Sequence, residues 1–214
     1  MDTNRVNIKL YHIVHVDRLP AIVSTGYLLS DAGLNVRNPS ETIIGMDKIK
    51  KRRLKTTLSS YPDLCVVECV PFYFSPRSVM LYIMHMKNHP EINYKGGQES
   101  IIHLVSDLQK VVLWADRNRK RWVFTDSNAG SLYFNDYSDM NELSKIDLQA
   151  VNATYWVDCR ERKQAEFLIE DRLSWKLIAS IGVYSQQYYN KVSDLILGNS
   201  HHHPMIKIRK HWYY

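Results

Sequence analysis

Apolar and polar positions along this chain fall into short runs that switch period repeatedly. Residues 8–14, Ile-Lys-Leu-Tyr-His-Ile-Val, predict a first strand that carries Tyr11 and His12. Asp17 then reads as a helix N-cap, with Leu19, Ile22 and Val23 on one face and Gly26 as the stop. Residues 28–41 have loop character, with Gly33, Asn35, Asn38, Pro39 and Ser40. Helical spacing resumes over 44–54, anchored by Ile44, Ile49 and Leu54, so its many Arg and Lys side chains are exposed or face a cleft. Residues 64–69 predict a strand. Residues 70–77 form an aromatic segment in which Pro71 and Pro76 forbid a regular helix.

A strongly apolar helix is predicted over 79–84, then a flexible turn at 94–99 containing Gly96-Gly97. Strands follow at 101–105 and 122–125, the second ending in the polar turn 126–130. A helical pattern covers 139–153 through Met140, Leu143, Ile146, Leu148 and Val151. Phe167-Leu168-Ile169 opens a buried strand. Residues 175–183 form a core segment, 188–197 an amphipathic helix and 206–209 a last strand. Strands and helices mix without a βαβ rhythm, and no linker or repeat interrupts them. The expectation is an α+β fold in one domain spanning 1–214.

Composition narrows the class. Hydrophobic residues make up 45% and charged residues 23%, which fits a globular core and not a disordered chain. No apolar run approaches the roughly 18 residues of a membrane span, and residues 1–9 lack a signal-peptide core, so a cytoplasmic address without a membrane partner is expected. Three cysteines, Cys65, Cys69 and Cys159, are too few and too scattered for a disulfide framework. Cys65 and Cys69 share one face of a strand-like run but form no CxxC pair. His201-His202-His203 sits between Gly198-Asn199-Ser200 and Pro204, as a solvated turn does. No metal is expected.

The net charge of +6 is clustered, and the clustering matters more than the total. One block holds Lys48, Lys50, Lys51, Arg52, Arg53 and Lys55; others hold Arg117, Arg119, Lys120 and Arg121, then Lys207, Arg209 and Lys210. Such clusters favour a polyanion, nucleic acid first. Neither a GxGxxG fingerprint nor a Gly-Lys-Ser/Thr phosphate loop is present. The aromatics beside Arg77 can stack nucleobases or fill core.

One stretch carries candidate chemistry. The charged segment Arg160-Glu161-Arg162-Lys163 leads through Gln164-Ala165 to Glu166 at the mouth of an apolar strand. A carboxylate there can be held rigidly and still face a cleft. The same residues also allow a rim glutamate paired with Arg160 or Lys163. A metal-dependent nuclease built on Asp63, Glu68 and Glu166, or a basic binding module without chemistry, remain alternatives on charge alone.

Several long motifs in order resemble the DarT family of NAD-dependent DNA ADP-ribosyltransferase toxins. They are Leu10-Tyr11-His12-Ile13-Val14-His15-Val16-Asp17, Ile49-Lys50-Lys51-Arg52-Arg53, and the run from Val70-Pro71-Phe72-Tyr73-Phe74 through Ser75-Pro76-Arg77-Ser78-Val79-Met80-Leu81. Gly96-Gly97-Gln98-Glu99, Phe124-Thr125-Asp126, Lys163-Gln164-Ala165-Glu166-Phe167-Leu168 and Trp212-Tyr213-Tyr214 complete them. The resemblance implies an ADP-ribosyltransferase-like fold of two small, roughly orthogonal sheets flanked by helices, with NAD in the cleft between them. It implies Glu166 as catalytic carboxylate, the essential arginine in the Arg52-Arg53 pair with Arg53 favoured, and Tyr11 and His12 on the NAD side. It assigns Tyr73, Arg77, Met80 and Arg160 to single-stranded DNA, whose acceptor base is usually thymidine, and a DarG-type macrodomain antitoxin as partner. The chain departs from some relatives at Asn128, where they have histidine.

Overall fold

The computed structural model of the 214-residue chain describes residues 7–34, 42, 44–198 and 202–214. Strand β1 (Lys9–His15) leads through a 3-10 turn into helix α1 (Leu19–Thr25), strand β2 (Tyr27–Leu29), helix α2 (Asp31–Leu34) and helix α3 (Asp47–Arg53). Strand β3 (Cys69–Tyr73), helix α4 (Val79–Met86), strand β4 (Ile101–Asp107), helix α5 (Leu108–Arg117), strand β5 (Trp122–Thr125) and strand β6 (Asp136–Tyr137) follow. Helices α6 (Leu148–Asn152) and α7 (Arg160–Lys163) precede strands β7 (Glu166–Glu170), β8 (Arg172–Ser174) and β9 (Ser180–Val183). Helix α8 (Gln186–Leu197) and strand β10 (Met205–Ile208) close the order.

The α+β expectation holds. Eight strands are bonded in the order β10-β9-β4-β1-β3-β7-β5-β6, and β2 pairs with β8 in a separate small sheet. The ladder is not uniform. β1 matches β4 residue for residue from Lys9↔Asp107 to His15↔Ile101, and β3 matches β7 from Cys69↔Glu170 to Tyr73↔Glu166. Between β1 and β3 the pairing is down to Tyr11↔Tyr73 alone. The eight strands therefore comprise two four-stranded halves joined at one bridge.

That seam explains how Pro71 sits inside a central strand. Proline has no N–H for a ladder and belongs at edges. The Pro71 carbonyl turns toward β1 and meets the His12 ring, with Nδ1 2.8 Å away. The backbone nitrogen of a strand residue points to the same side as its carbonyl, so the missing N–H falls where no ladder is needed. The expected aromatic segment is thus a strand, and it begins at Cys69. The expected strand over 64–69 is replaced by a 3-10 turn at Val66–Glu68, closed by the Glu68 carboxylate accepting from the Cys65 N–H at 2.8 Å.

The core follows strand alternation. Phe72, Phe167 and Phe124 lie abreast on β3, β7 and β5 and are fully buried. Removing one such ring costs about 3–5 kcal/mol. Phe167 and Ile169 enter this main core, while Leu168 enters a smaller one with Leu58, Leu64, Val123 and Ala129. By the same period of two, Glu166 shares the Leu168 face of β7.

Three local expectations are corrected. Helix α1 takes Arg18, not Asp17, at its N-cap; the Asp17 carboxylate is drawn to His15 at 2.8 Å and to the Thr42 hydroxyl. Gly26 does end α1, at φ 73, a left-handed conformation that favours glycine. The single helix over 139–153 is split: Met140–Lys145 is a 3-10 turn, and Asp147 restarts the chain as the cap of α6 by accepting from the Ala150 N–H at 2.9 Å. Helix α5, capped by Asp107, has no counterpart among the sequence expectations. His201 lies outside the described residues. His202 is half-buried, with its ring nitrogen 2.8 Å from the Ile178 carbonyl, so it is not part of a solvated turn.

Candidate active site

Beside the seam a cavity of about 540 Å³ opens, lined by residues of β1, α1, β2, α3, β3 and α4. Its walls are largely apolar, with Ile22, Leu28, Met46, Ile49, Met80 and Ile83. Arg18, Lys50 and Arg53 bring positive charge to it. Size and mixture suit a ligand pocket, for which about 300–1,000 Å³ is usual.

Glu166, the first residue of β7, is completely buried. Arg53 Nη2 donates to both of its carboxylate oxygens, at 2.5 and 2.7 Å. The alternative of a rim glutamate paired with Arg160 or Lys163 is therefore overturned. Arg160 is exposed, and the Lys163 ammonium donates instead to the Val151 and Ala153 carbonyls at 2.9 and 2.8 Å. Burial brings the Lys163 amine down to about 8.

Thr125 fixes Glu166 from the neighbouring strand. Its hydroxyl accepts from the Glu166 N–H at 3.1 Å and donates to the Ser127 carbonyl at 2.6 Å. Arg53 forms the cavity wall in front of the carboxylate. Burial works against its charge, but the adjacent Glu166 carboxylate outweighs this and holds the guanidinium firmly protonated. Arg53 Nε is buried with no acceptor among the described residues. An orphaned donor at a cavity wall is an opening for a ligand acceptor.

His12 lines the same cavity. Burial depresses its imidazole to about 4, so it is neutral near pH 7. Because a carbonyl oxygen can only accept, Nδ1 carries the proton toward Pro71, and Nε2 is left as an acceptor. Tyr73 and Met80 also line the cavity. Burial, and then the Glu166 charge, push the Tyr73 phenol far above its usual value.

The remaining predicted residues are elsewhere. Tyr11 is outside the cavity lining and meets Trp212 edge-on, with ring centroids 5.4 Å apart. Arg52 is exposed and donates through Nη1 to the Gly130 carbonyl at 2.6 Å. Arg77 lies over the Tyr214 ring, 4.4 Å from its centroid. The carboxylates of the nuclease alternative have separate partners: Asp63 pairs with Arg121, and Glu68 closes its own turn.

The polar turn expected at 126–130 is present, but sequence reasoning did not place it at the cavity. Asn128 and Gln164 line the cavity and approach each other at 3.4 Å. Gly130 packs so closely that a Cβ there would lie 2.6 Å from Ile49 Cγ2 and 3.4 Å from Arg53 Nε. The available signal was Asn-Ala-Gly directly after a strand.

Two half-sheets meeting at a bridge, with a buried Arg–Glu pair behind a ligand-sized cavity, define an ADP-ribosyltransferase-like architecture. The family model described as ssDNA thymidine ADP-ribosyltransferase, DarT, matches residues 11–214, and the chain belongs to this family. The DNA ADP-ribosyl transferase of Thermus aquaticus is 35% identical over 206 residues, covering 96% of this chain and 88% of that protein. The one from Thermus sp. strain 2.9 is 36% identical over 209 residues, covering 96% and 95%. The solved Thermus sp. 2.9 DarT in complex with ADP-ribosylated ssDNA superposes with a TM-score of 0.89 at 34% identity, covering 100% of this chain and 99% of that one. The same Thermus protein in complex with NAD+ gives 0.85 at 33% identity, covering 99% and 100%. Thermosipho africanus DarTG in complex with ADP-ribose shares the fold, with a TM-score of 0.75 at 20% identity over 97% of this chain and 51% of that one. No helix among the described residues is long and apolar enough to cross a membrane.

Proposed function

We propose that this chain transfers ADP-ribose from NAD to a thymidine base of single-stranded DNA, as the toxin half of a toxin–antitoxin pair, within the single domain 1–214. The reading is carried by the Arg53–Glu166 pair at the cavity wall. The family membership, the NAD+ and ADP-ribosylated ssDNA complexes of the Thermus protein, and the largely apolar cavity with Arg18 and Arg53 in its wall support it. The DarTG name of the Thermosipho protein supports a macrodomain antitoxin as partner.

NAD supplies the ADP-ribosyl group, with nicotinamide as leaving group. Breaking that glycosidic bond builds positive charge on the ribose, and Glu166 stabilises it as a fixed anion in a low-dielectric site. Arg53 covers the carboxylate in the closed pair. Its unsatisfied Nε takes an acceptor from a ligand phosphate or the acceptor base, and the guanidinium turns from Glu166 as it does so. The thymine ring nitrogen bonds the sugar carbon as the bond to nicotinamide breaks; its proton passes to water, and negative charge builds on the base as that proton leaves. Arg53 stabilises that negative charge; it is not a conventional base, since it stays protonated. His12, neutral, offers Nε2 to an O–H or N–H of the dinucleotide. Tyr73, Met80, Arg77 and Arg160 contact the strand, whose target base must be unstacked.

The test is incubation with NAD and a pool of single-stranded oligonucleotides, with mass spectrometry locating the added ADP-ribose. Modification of a thymidine base is expected. Unmodified oligonucleotides beside intact NAD would reject the reading.

A further inference from the structure

Arg77 has an unusual setting for a cation. Its Nε is buried without a hydrogen-bond partner, and no carboxylate pairs with it among the described residues. What it has is a ring: its guanidinium carbon sits 4.4 Å from the centroid of Tyr214. A guanidinium over an aromatic face is attracted by the ring quadrupole and takes an orientation parallel to it.

Tyr214 is itself held from several sides. Its hydroxyl donates to the Arg77 carbonyl at 3.1 Å, so ring and hydroxyl grip one residue by side chain and backbone. Its N–H donates to the Gln98 side-chain oxygen at 3.0 Å, and the Gln98 amide returns a bond to a Tyr214 main-chain oxygen. Gln98 is buried and close to His85 at 3.0 Å. Tyr82 of α4 packs edge-on to Tyr214, at 5.0 Å, and to Trp156, at 5.4 Å. Thus Tyr214 is fixed by α4 and the 94–99 turn.

We infer that Tyr214 is a positioning residue: its ring aims the Arg77 guanidinium at the phosphates of the acceptor strand. This rests on the proposed role of Arg77 in DNA contact. Tyr214 lies outside the cavity lining. Its removal leaves Arg77 charged but free to rotate, so recognition of the oligonucleotide weakens while the dinucleotide side is unaffected.

The experiment uses the whole chain with NAD and its modifiable single-stranded oligonucleotide. KM for each reactant and kcat are measured for Tyr214→Leu, Tyr214→Phe, Arg77→Ala and the Arg77→Ala/Tyr214→Leu double variant. Leucine keeps apolar volume without a π face, and phenylalanine keeps the face without the hydroxyl. Tyr214→Leu is expected to raise the oligonucleotide KM roughly three- to tenfold, with the NAD KM within about twofold; Tyr214→Phe restores most of it. The double variant is expected to be no worse than Arg77→Ala, because one residue acts through the other. Equal changes in both KM values, no recovery with phenylalanine, or additive losses in the double variant would overturn the inference. An unchanged oligonucleotide KM in Arg77→Ala would instead remove the DNA role of Arg77 and the inference with it. If Tyr214→Leu does not fold, Tyr214→Phe at wild-type KM together with Gln98→Ala raising only the oligonucleotide KM supports the inference, and any other pattern from that pair rejects it.

Discussion

Strand β7 carries a glutamate at each end, each bonded to an arginine, and the two ends differ in every other respect. At the outer end Arg121 uses Nε and Nη2 on Glu170, at 3.1 and 2.8 Å, and Nη1 on Asp63 at 2.7 Å. That is the forked geometry of a saturated structural pair, with about a quarter of each side chain still in water (29% and 23%). At the inner end Arg53 spends one nitrogen on both Glu166 oxygens and leaves Nε empty, with 12% and 1% exposure. A buried pair left half-used stabilises little for its desolvation cost. The difference separates a strap from a site: the satisfied fork is finished within the protein, and the unsatisfied one awaits a partner.

The largest expected effect comes from exchanging the two carboxylates. Glu166→Gln removes charge while keeping size, and kcat for transfer to a single-stranded oligonucleotide should fall by about 10²–10³-fold. Glu170→Gln should stay within about twofold. Initial rates at saturating NAD measure both. Similar rates for the two variants would erase the distinction drawn between the ends.

Next is the arginine. Arg53→Lys keeps the charge but loses the free Nε donor, and activity should drop by roughly 10²-fold, the order of one lost transition-state donor. Arg52→Lys, which disturbs only a contact to the Gly130 carbonyl, should keep most of its activity. Equal losses would mean that the helix, not one guanidinium, carries the role.

Much of this was legible in the chain. The strand at 122–125 coincides with β5, and residues 8–14 predict β1 to within a residue at each end. The resemblance led to Glu166 and Arg53. Their pairing was not legible, because Arg53 and Glu166 are 113 positions apart and only the placing of α3 against β7 joins them. The choice between Arg52 and Arg53 did have a local signal: Ile49 and Arg53 are one turn apart on α3 and share a face, and Ile49 lines the cavity. Pro71 rightly barred a helix, but it gave no sign of the central strand, which proline can occupy only because its N–H side faces a seam and not a full ladder. Asp17 misled because a cap is chosen by competition, and His15 and Thr42 outbid the helix N–H groups. Tyr11 shares a strand with His12, yet its ring packs on Trp212, an element remote in sequence.

Acid separates the cavity, through His12, from the outer end of β7 on the pH axis. His12 has a folded value of about 4 against an ordinary 6.5, so its contribution is complete above 6.5 and is lost as pH falls toward 4. Between pH 7 and 4.5 this imidazole should cost roughly 2–3 kcal/mol of stability. Urea unfolding of wild type and His12→Gln should therefore converge on acidification by about that amount. Hydrogen bonds from Arg121 hold the Glu170 carboxyl below its usual range, so the outer end keeps its contribution through this window and loses it only in stronger acid, below about 4.5. A constant gap between wild type and His12→Gln would show that the imidazole titrates normally.

The smallest effect tests the claim that the outer pair is only a strap. Glu170→Gln leaves Arg121 still able to reach water, so no buried charge is stranded. The loss should be no more than about 1 kcal/mol, the scale of partly exposed ion pairs. Screening supplies the second measurement. At 1 M salt the Debye length is about 3 Å, and the difference between wild type and Glu170→Gln should shrink toward zero. The wild-type difference from Glu166→Gln should persist there, since water and ions do not reach that carboxylate. A loss at Glu170 that resists salt would mean the outer end is also shielded, and exposure would no longer explain why one end of β7 holds chemistry and the other only holds the strand.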